Sequence, residues 1–114
     1  MNYDLEERTA KFGEDILKFL KTIKTDHITK PLISQLVRSA TSIGANYMEA
    51  NQASSKKDFY NKIRISQKES NETKHWIRML ATVVGEHKEQ LKIFWKEAHE
   101  LTLIFAKISK SNEK

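Results

Sequence analysis

Apolar residues recur at three- and four-residue steps along nearly the whole chain of 114 residues, and only one proline and three glycines interrupt them. That period belongs to helices, in which residues three and four apart share a face, whereas a half-buried strand alternates every second residue. So few turn-formers leave little room for hairpins, and the fold class is all-α. The length supports one core, so residues 1–114 form a single domain.

Four helices follow from the pattern. Leu5, Phe12, Ile16, Phe19, Leu20 and Ile23 mark a first helix over 4–24, with Asp4 as its cap and Glu6 and Glu7 in its first turn. The pattern fades at TDHITK, and Lys30 before Pro31 marks a break. Pro31 then suits the first turn of a second helix over 31–53, which turns Ile33, Leu36, Val37, Ala40, Ile43, Gly44 and Tyr47 inward. Ser54 or Ser55 caps a third helix over 56–85, and Gly85 stops it. A fourth, over 87–109, carries Leu91, Phe94, Trp95, Ala98, Leu101, Ile104, Phe105 and Ile108 before the polar tail SKSNEK frays. Short connections between four such helices predict an antiparallel up-and-down bundle.

No run approaches the roughly 18 apolar residues that a membrane span needs, and the N-terminus is charged from its fourth residue, so a cytoplasmic protein is expected. The absence of cysteine removes disulfides and thiolate metal sites. Net charge is +5, from 20 Lys and Arg against 15 Asp and Glu. Residues 27–80 hold 9 basic and 4 acidic residues, 9 − 4 = +5, while the two ends together hold 11 of each and cancel. Within that middle stretch Lys57, Asn61, Arg64, Lys68, Asn71 and His75 follow one another at steps of four and three, with Arg78 nearby and no acidic residue at those steps. Lys57, Arg64, Lys68, His75 and Arg78 are therefore candidates for binding RNA or DNA, although an ordinary solvated helix face has the same appearance. Nothing in the stripe resembles a base-reading device, so affinity would be for backbone or shape.

The opposite side of the third helix poses a different problem. Phe59, Ile63, Ile65, Thr73, Trp76, Ile77, Leu80, Val83 and Val84 fall in one broad arc, wider than one bundle core requires, and Glu69 lies inside it with Glu72 at its edge. A carboxylate there must be paired, protonated or facing something wet. The second helix carries Arg38, Ser42, Ala45 and Glu49, with Asn46 beside them, along a face almost without bulk. Either this face is solvated or it is a subunit interface in which Arg38 meets one of the carboxylates across the seam, its planar fork suiting a bidentate pair. Arg38, Ser42, Asn46, Glu49, Glu69, Glu72 and Trp76 are the candidates for a polar network at a subunit interface. Trp76 and Trp95 read as core or interface anchors.

Catalysis finds little support. Glu72 and His75 have the Glu-x-x-His spacing of helical di-iron sites, but no second such tetrad exists and His75 points away from the arc. The short Arg-to-His spacing of HEPN-type ribonucleases is missing, because Arg64 to His75 and Arg78 to His87 are both too far apart. There is no glycine-rich phosphate loop. No catalytic residue, metal ligand or cofactor is assigned, and the expectation is a protein that is not an enzyme.

Over residues 33–80 the chain resembles the family of four-helix-bundle proteins encoded by intervening sequences in bacterial 23S ribosomal RNA genes. The resemblance rests on Arg38, Ser42, Ile43, Asn46 and Glu49, then Ser55, Lys56, Lys57 and Phe59, then Lys68, Glu69, Glu72, Thr73 and Trp76. Many members have Gly after the second helix's glutamate. Ala50 stands there in this chain, so the second helix is expected to run on towards Ala53. The resemblance implies a left-handed bundle assembled as a homopentamer, with the network at or beside the seam between subunits. It also implies similarity to the accessory proteins of diversity-generating retroelements, basic pentamers that associate with nucleic acid and a reverse transcriptase. The partners it implies are thus the chain itself, RNA or DNA, and a reverse transcriptase or another nearby-encoded protein, with no membrane. The alternatives are a structural protein–protein module without nucleic-acid affinity and a bundle enzyme binding a metal through carboxylate and histidine side chains.

Overall fold

The computed structural model describes residues 3–111. Its helices are α1 (Tyr3–Leu20), α2 (Thr29–Asn51), α3 (Lys56–Val83) and α4 (Lys88–Lys110), with a 3-10 turn at Gly85–His87 between the last two. Among the described residues there is no strand. The molecule measures 45 × 23 × 21 Å. At 1.5 Å per residue the 28 residues of α3 span about 42 Å, so α3 must lie along the long axis.

The helix ends differ from the sequence expectation for identifiable reasons. Asp4 lies inside the first turn of α1 rather than capping it. The helix stops at Leu20, short of residue 24, because Thr22 and Ile23 bond back to Phe19 and Leu20 in tight turns, which still bring Ile23 into the core. α2 begins before Pro31, and Lys30 is helical. The start is organised by Asp26, whose Oδ1 accepts from the Ile28 and Thr29 amides at 2.8 Å while the Thr29 hydroxyl accepts from the Asp26 amide at 2.9 Å. This is a reciprocal cap with Thr in the returning position. Amide donors from Thr29 and then Ile28 hold the Asp26 carboxyl below its ordinary value.

At its other end α2 stops at Asn51, two residues short of Ala53, where Gln52 and Ala53 bond three residues back. Ser55 caps α3, accepting from the Asp58 amide at 3.0 Å. α3 ends at Val83. Gly85 has no positive φ, so the stop is not a left-handed glycine; buried Val84 turns the chain at φ −124°, ψ 60°. α4 continues through Ser109 and Lys110, part of the tail expected to fray, and residues 112–114 lie outside the described residues.

The buried stripe of α3 is Ile63, Ser66, Ser70, Thr73, Ile77 and Leu80, at alternating steps of three and four. That is the seam period of helices packed side by side. Its centre is hydroxyl-bearing. Ser66 donates to the Ile43 carbonyl at 3.0 Å, Ser70 to the Ser66 carbonyl at 2.8 Å, and the Thr73 hydroxyl lies 2.9 Å from the Ser39 hydroxyl. Satisfied groups of this size can be buried at little cost, and they let α2 lie close to α3, the most extensive helix pairing in the molecule. The core is therefore rotated from the expected arc towards the serines, which leaves Ile65 and Val83 exposed.

α1 approaches α2 where Gly13 faces Ala40 and Thr41, and Gly44 faces Thr9. A Cβ on Gly44 would come within 3.2 Å of the Thr9 hydroxyl. Between α1 and α4, Phe12 and Phe19 both pack on Phe94, and Arg8 takes both Glu97 oxygens at 2.7 Å and Glu100 at 3.0 Å. The Glu97 bond, above all, strengthens the hold of Arg8 on its proton.

Candidate functional site

The helical steps that bury Ile63, Ile77 and Leu80 place Lys57, Asn61, Arg64, Lys68, Asn71, His75 and Arg78 on the outside of α3, and all seven are exposed. None of the four cations Lys57, Arg64, Lys68 and Arg78 forms an ion pair among the described residues; Arg64 reaches only Asn61, at 3.4 Å. Lys62, outside the stripe, is occupied by Glu49 at 2.8 Å, and that pairing raises its pKa.

Further cations come from α4 and were not among the sequence candidates. Arg64 and Lys68 share the α3–α4 groove with Lys110. Further along, a cavity of about 320 Å³ is floored by Ile77, Ala81, Leu91 and Trp95 and rimmed by Arg78, Lys88, Lys92 and Lys96. No carboxylate lines any of these hollows, whereas those bordering α1 carry Glu6 and Glu14 or Asp15 and Glu97. The basic excess is thus concentrated on the α3–α4 side. The signal was present in the sequence as Lys88, Lys92 and Lys96 at four-residue spacing.

Of the two places expected for Trp95, core or interface, the core is not the one it takes. It is 37% exposed, on the α3 side of α4. His99 stacks on it at 5.2 Å and 14°. Lys74 of α3 sits 5.4 Å from its ring centre and 3.1 Å from His99 Nδ1. An ammonium only donates, so Nδ1 accepts. These contacts hold the indole in place. Trp76 is half-buried, edge-on to His75, with an indole N–H that is buried and unpartnered.

The candidate polar network forms in part, within one chain. Arg38 Nη1 lies 3.2 and 3.3 Å from the Glu69 oxygens and Nη2 is 2.9 Å from Glu72, which raises the Arg38 pKa, the Glu72 bond contributing most. The Glu69 side chain is only 14% exposed, so its carboxylate is sheltered and paired. Ser42 and Asn46 instead bond to carbonyls of α2 itself, those of Arg38 and Ser42, and Glu49 turns to Lys62. Exposed Ile65 and Val83 and half-buried Trp76 share the α3 flank of the triad.

Chemically, the α3–α4 side can hold anions. Among the described residues no group of three His, Asp or Glu side chains is placed to hold a metal, and no helix is long and apolar enough to cross a membrane.

The comparisons with known proteins agree with this fold. A crystal structure of a protein of unknown function from the S23 ribosomal protein family of Bacteroides thetaiotaomicron superposes with a TM-score of 0.80 at 31% identity, covering 92% of this chain and 97% of that one. No curated protein matches the sequence. The family model for the 23S rRNA-intervening sequence protein matches residues 1–107, nearly the whole chain, and includes the stretch that carries Arg38, Glu69 and Glu72. This chain belongs to the 23S rRNA-intervening sequence protein family.

Proposed function

We propose that the chain is a non-enzymatic, cytoplasmic scaffold whose basic α3–α4 side binds the backbone of RNA or DNA, alone or in a nucleoprotein such as one containing a reverse transcriptase. The observation that carries this reading is the segregation of charge. Among the described residues the cations on the back of α3 have no carboxylate partners, while Arg8, Arg38 and Lys62 are each paired. An unpaired row of cations lets bound phosphates release counterions without breaking internal pairs.

The four helices are taken to alternate in direction around a left-handed twist and to assemble as a homopentamer. Short linkers support the first part, since residues 52–55 join two long helices packed side by side. Exposed Ile65 and Val83, flanking the Arg38–Glu69–Glu72 triad, favour this α2–α3 face for the seam. Assembly would repeat the basic side in every subunit and multiply its phosphate contacts.

Replacing Lys57, Arg64, Lys68 and Arg78 with glutamine tests the binding. Single-stranded RNA affinity should fall, and the slope of log affinity against log salt should shrink by about 3 for four lost contacts. Unchanged affinity and slope would remove this face from the reading. Light scattering of untagged protein should give about five times the 13.3 kDa chain mass. Should Glu69→Leu leave that mass and the assembly geometry intact, the triad has no part in the seam.

A further inference from the structure

The cavity floored by Trp95 is more than a backbone-binding surface requires. Phosphate binding needs exposed cations and no apolar floor, yet here Arg78, Lys88, Lys92 and Lys96 ring Ile77, Ala81, Leu91 and an indole. Its volume of about 320 Å³ sits at the lower end of the roughly 300–1,000 Å³ typical of ligand sites, enough for one small ring system. The indole is held ready. His99 stacks against it and Lys74 sits 5.4 Å from its centre, neither lining the cavity, while Trp95 itself lines it and is 37% exposed. A positioned aromatic costs little to order when a ligand stacks on it.

The charge around the cavity selects the kind of ligand. Four cations and no carboxylate favour an anionic ligand, and the apolar floor favours one with a flat, weakly polar body. A nucleotide joins both properties. The cationic surface also continues along the α3–α4 groove to Arg64, Lys68 and Lys110, beyond the reach of one bound nucleotide. A strand fits that extent better than a free mononucleotide. In a duplex the bases are stacked and paired, and cannot enter without being flipped out. We infer that the α3–α4 groove binds single-stranded nucleic acid, with one unpaired base packed against Trp95 and neighbouring phosphates on Arg78, Lys88, Lys92 and Lys96. This rests on the proposed backbone-binding role and adds to it a preference for single strands and a named stacking residue.

The test compares labelled single-stranded RNA of about 12 nucleotides, within the roughly 4–16 that one small domain covers, with a duplex of the same length and with AMP. Binding is measured by fluorescence anisotropy at low salt for the wild type and for Trp95→Leu, which keeps the floor apolar. Removing one base stack should weaken single-strand binding about 5- to 150-fold, corresponding to about 1–3 kcal/mol, and leave duplex binding unchanged. Since Trp95→Leu could disturb packing, a second measurement uses Trp76→Phe, in which Trp95 is the only indole. Single strands should quench its fluorescence and duplex should not. Equal wild-type affinity for strand and duplex, unaffected by Trp95→Leu, would overturn the base pocket while leaving the backbone reading intact. No binding of either RNA would overturn both. AMP binding as tight as the strand would identify a mononucleotide site and overturn the strand assignment.

Discussion

The Ser39–Thr73 contact at the centre of the α2–α3 seam allows a quantitative test of the buried hydroxyl layer. The Thr73 oxygen lies 2.8 Å from the Glu69 carbonyl and 2.9 Å from the Ser39 oxygen, and both side chains are fully buried. One hydroxyl has one proton. If Thr73 gives its proton to the Glu69 carbonyl, Ser39 must donate to Thr73, because its only other acceptor, the Leu36 carbonyl, is 3.4 Å away. Thr73→Val preserves shape but leaves the Ser39 donor only the long 3.4 Å bond to the Leu36 carbonyl, at a cost of about 1–2 kcal/mol. With an unfolding entropy near 2.1 cal/mol/K per residue, 114 residues give about 240 cal/mol/K, so each kcal/mol lowers Tm by about 4 °C. The expected loss is therefore about 4–8 °C. Ser39→Ala should cost less, because Thr73 keeps its own acceptor. In the double variant no donor is stranded, and its stability should exceed that of Thr73→Val alone, a coupling of about 1 kcal/mol. Urea midpoints at constant slope provide the assay. Additive losses in the double variant would refute the proton assignment.

Two further perturbations have defined signs. The Asp26 carboxyl is depressed below its ordinary 3.8, so the stability it supplies is present above that value and lost as pH falls through the lower folded-state value. Wild type should exceed Asp26→Ala in urea midpoint near pH 7, and the gap should narrow as pH falls below 3.8; a gap constant with pH would contradict the cap. Gly13 is helical without positive φ, and a Cβ would meet nothing nearer than 3.7 Å. Gly13→Ala should therefore stabilise by about 0.5–1 kcal/mol, read as a rise in thermal midpoint, and a fall would mean that α1 packs closer to α2 than these distances allow.

The number and order of the helices were legible because each buries aliphatic and aromatic side chains at helical steps, and no local propensity opposes that period. Their ends were less legible. Ile23 continues an i, i+3 step from Leu20 although the chain has left the helix, so the pattern overran it. Asp26 caps through amides that no apolar period marks. The rotation of α3 was missed for a different reason: Ser66 and Ser70 count as polar in a sequence but behave as small core residues once a neighbouring backbone carbonyl accepts their protons. Whether Trp95 lies in the core was not legible, because periodicity gives the face of a helix and not the size of the neighbour that covers it. Ile77 and Ala81 of α3 are too small to close over the indole. That Glu69 needs a partner and that Arg38 suits it was legible from residue type and spacing, but the sequence pointed to a pairing across a subunit seam, whereas Arg38, Glu69 and Glu72 meet within one chain.

These readings divide α3 into sectors with separate physical roles. The sector towards α2 is closed by satisfied hydroxyls, the flank beside it holds the triad, and the back carries cations that take no part in core packing. Charge on the back contributes little to the fold, since exposed and unpaired cations form no internal contact that folding must preserve. It need not have been arranged for stability at all. The triad differs, because Glu69 is sheltered and loss of Arg38 would leave a partly desolvated carboxylate with no cation. Arg38 is thus constrained by its own chain whether or not a second subunit covers the triad, while Lys57, Arg64, Lys68 and Arg78 are free of any such constraint. Glutamine at those four positions should therefore leave the urea midpoint of the chain nearly unchanged, and any loss of RNA binding in that variant reports on the surface rather than on the fold.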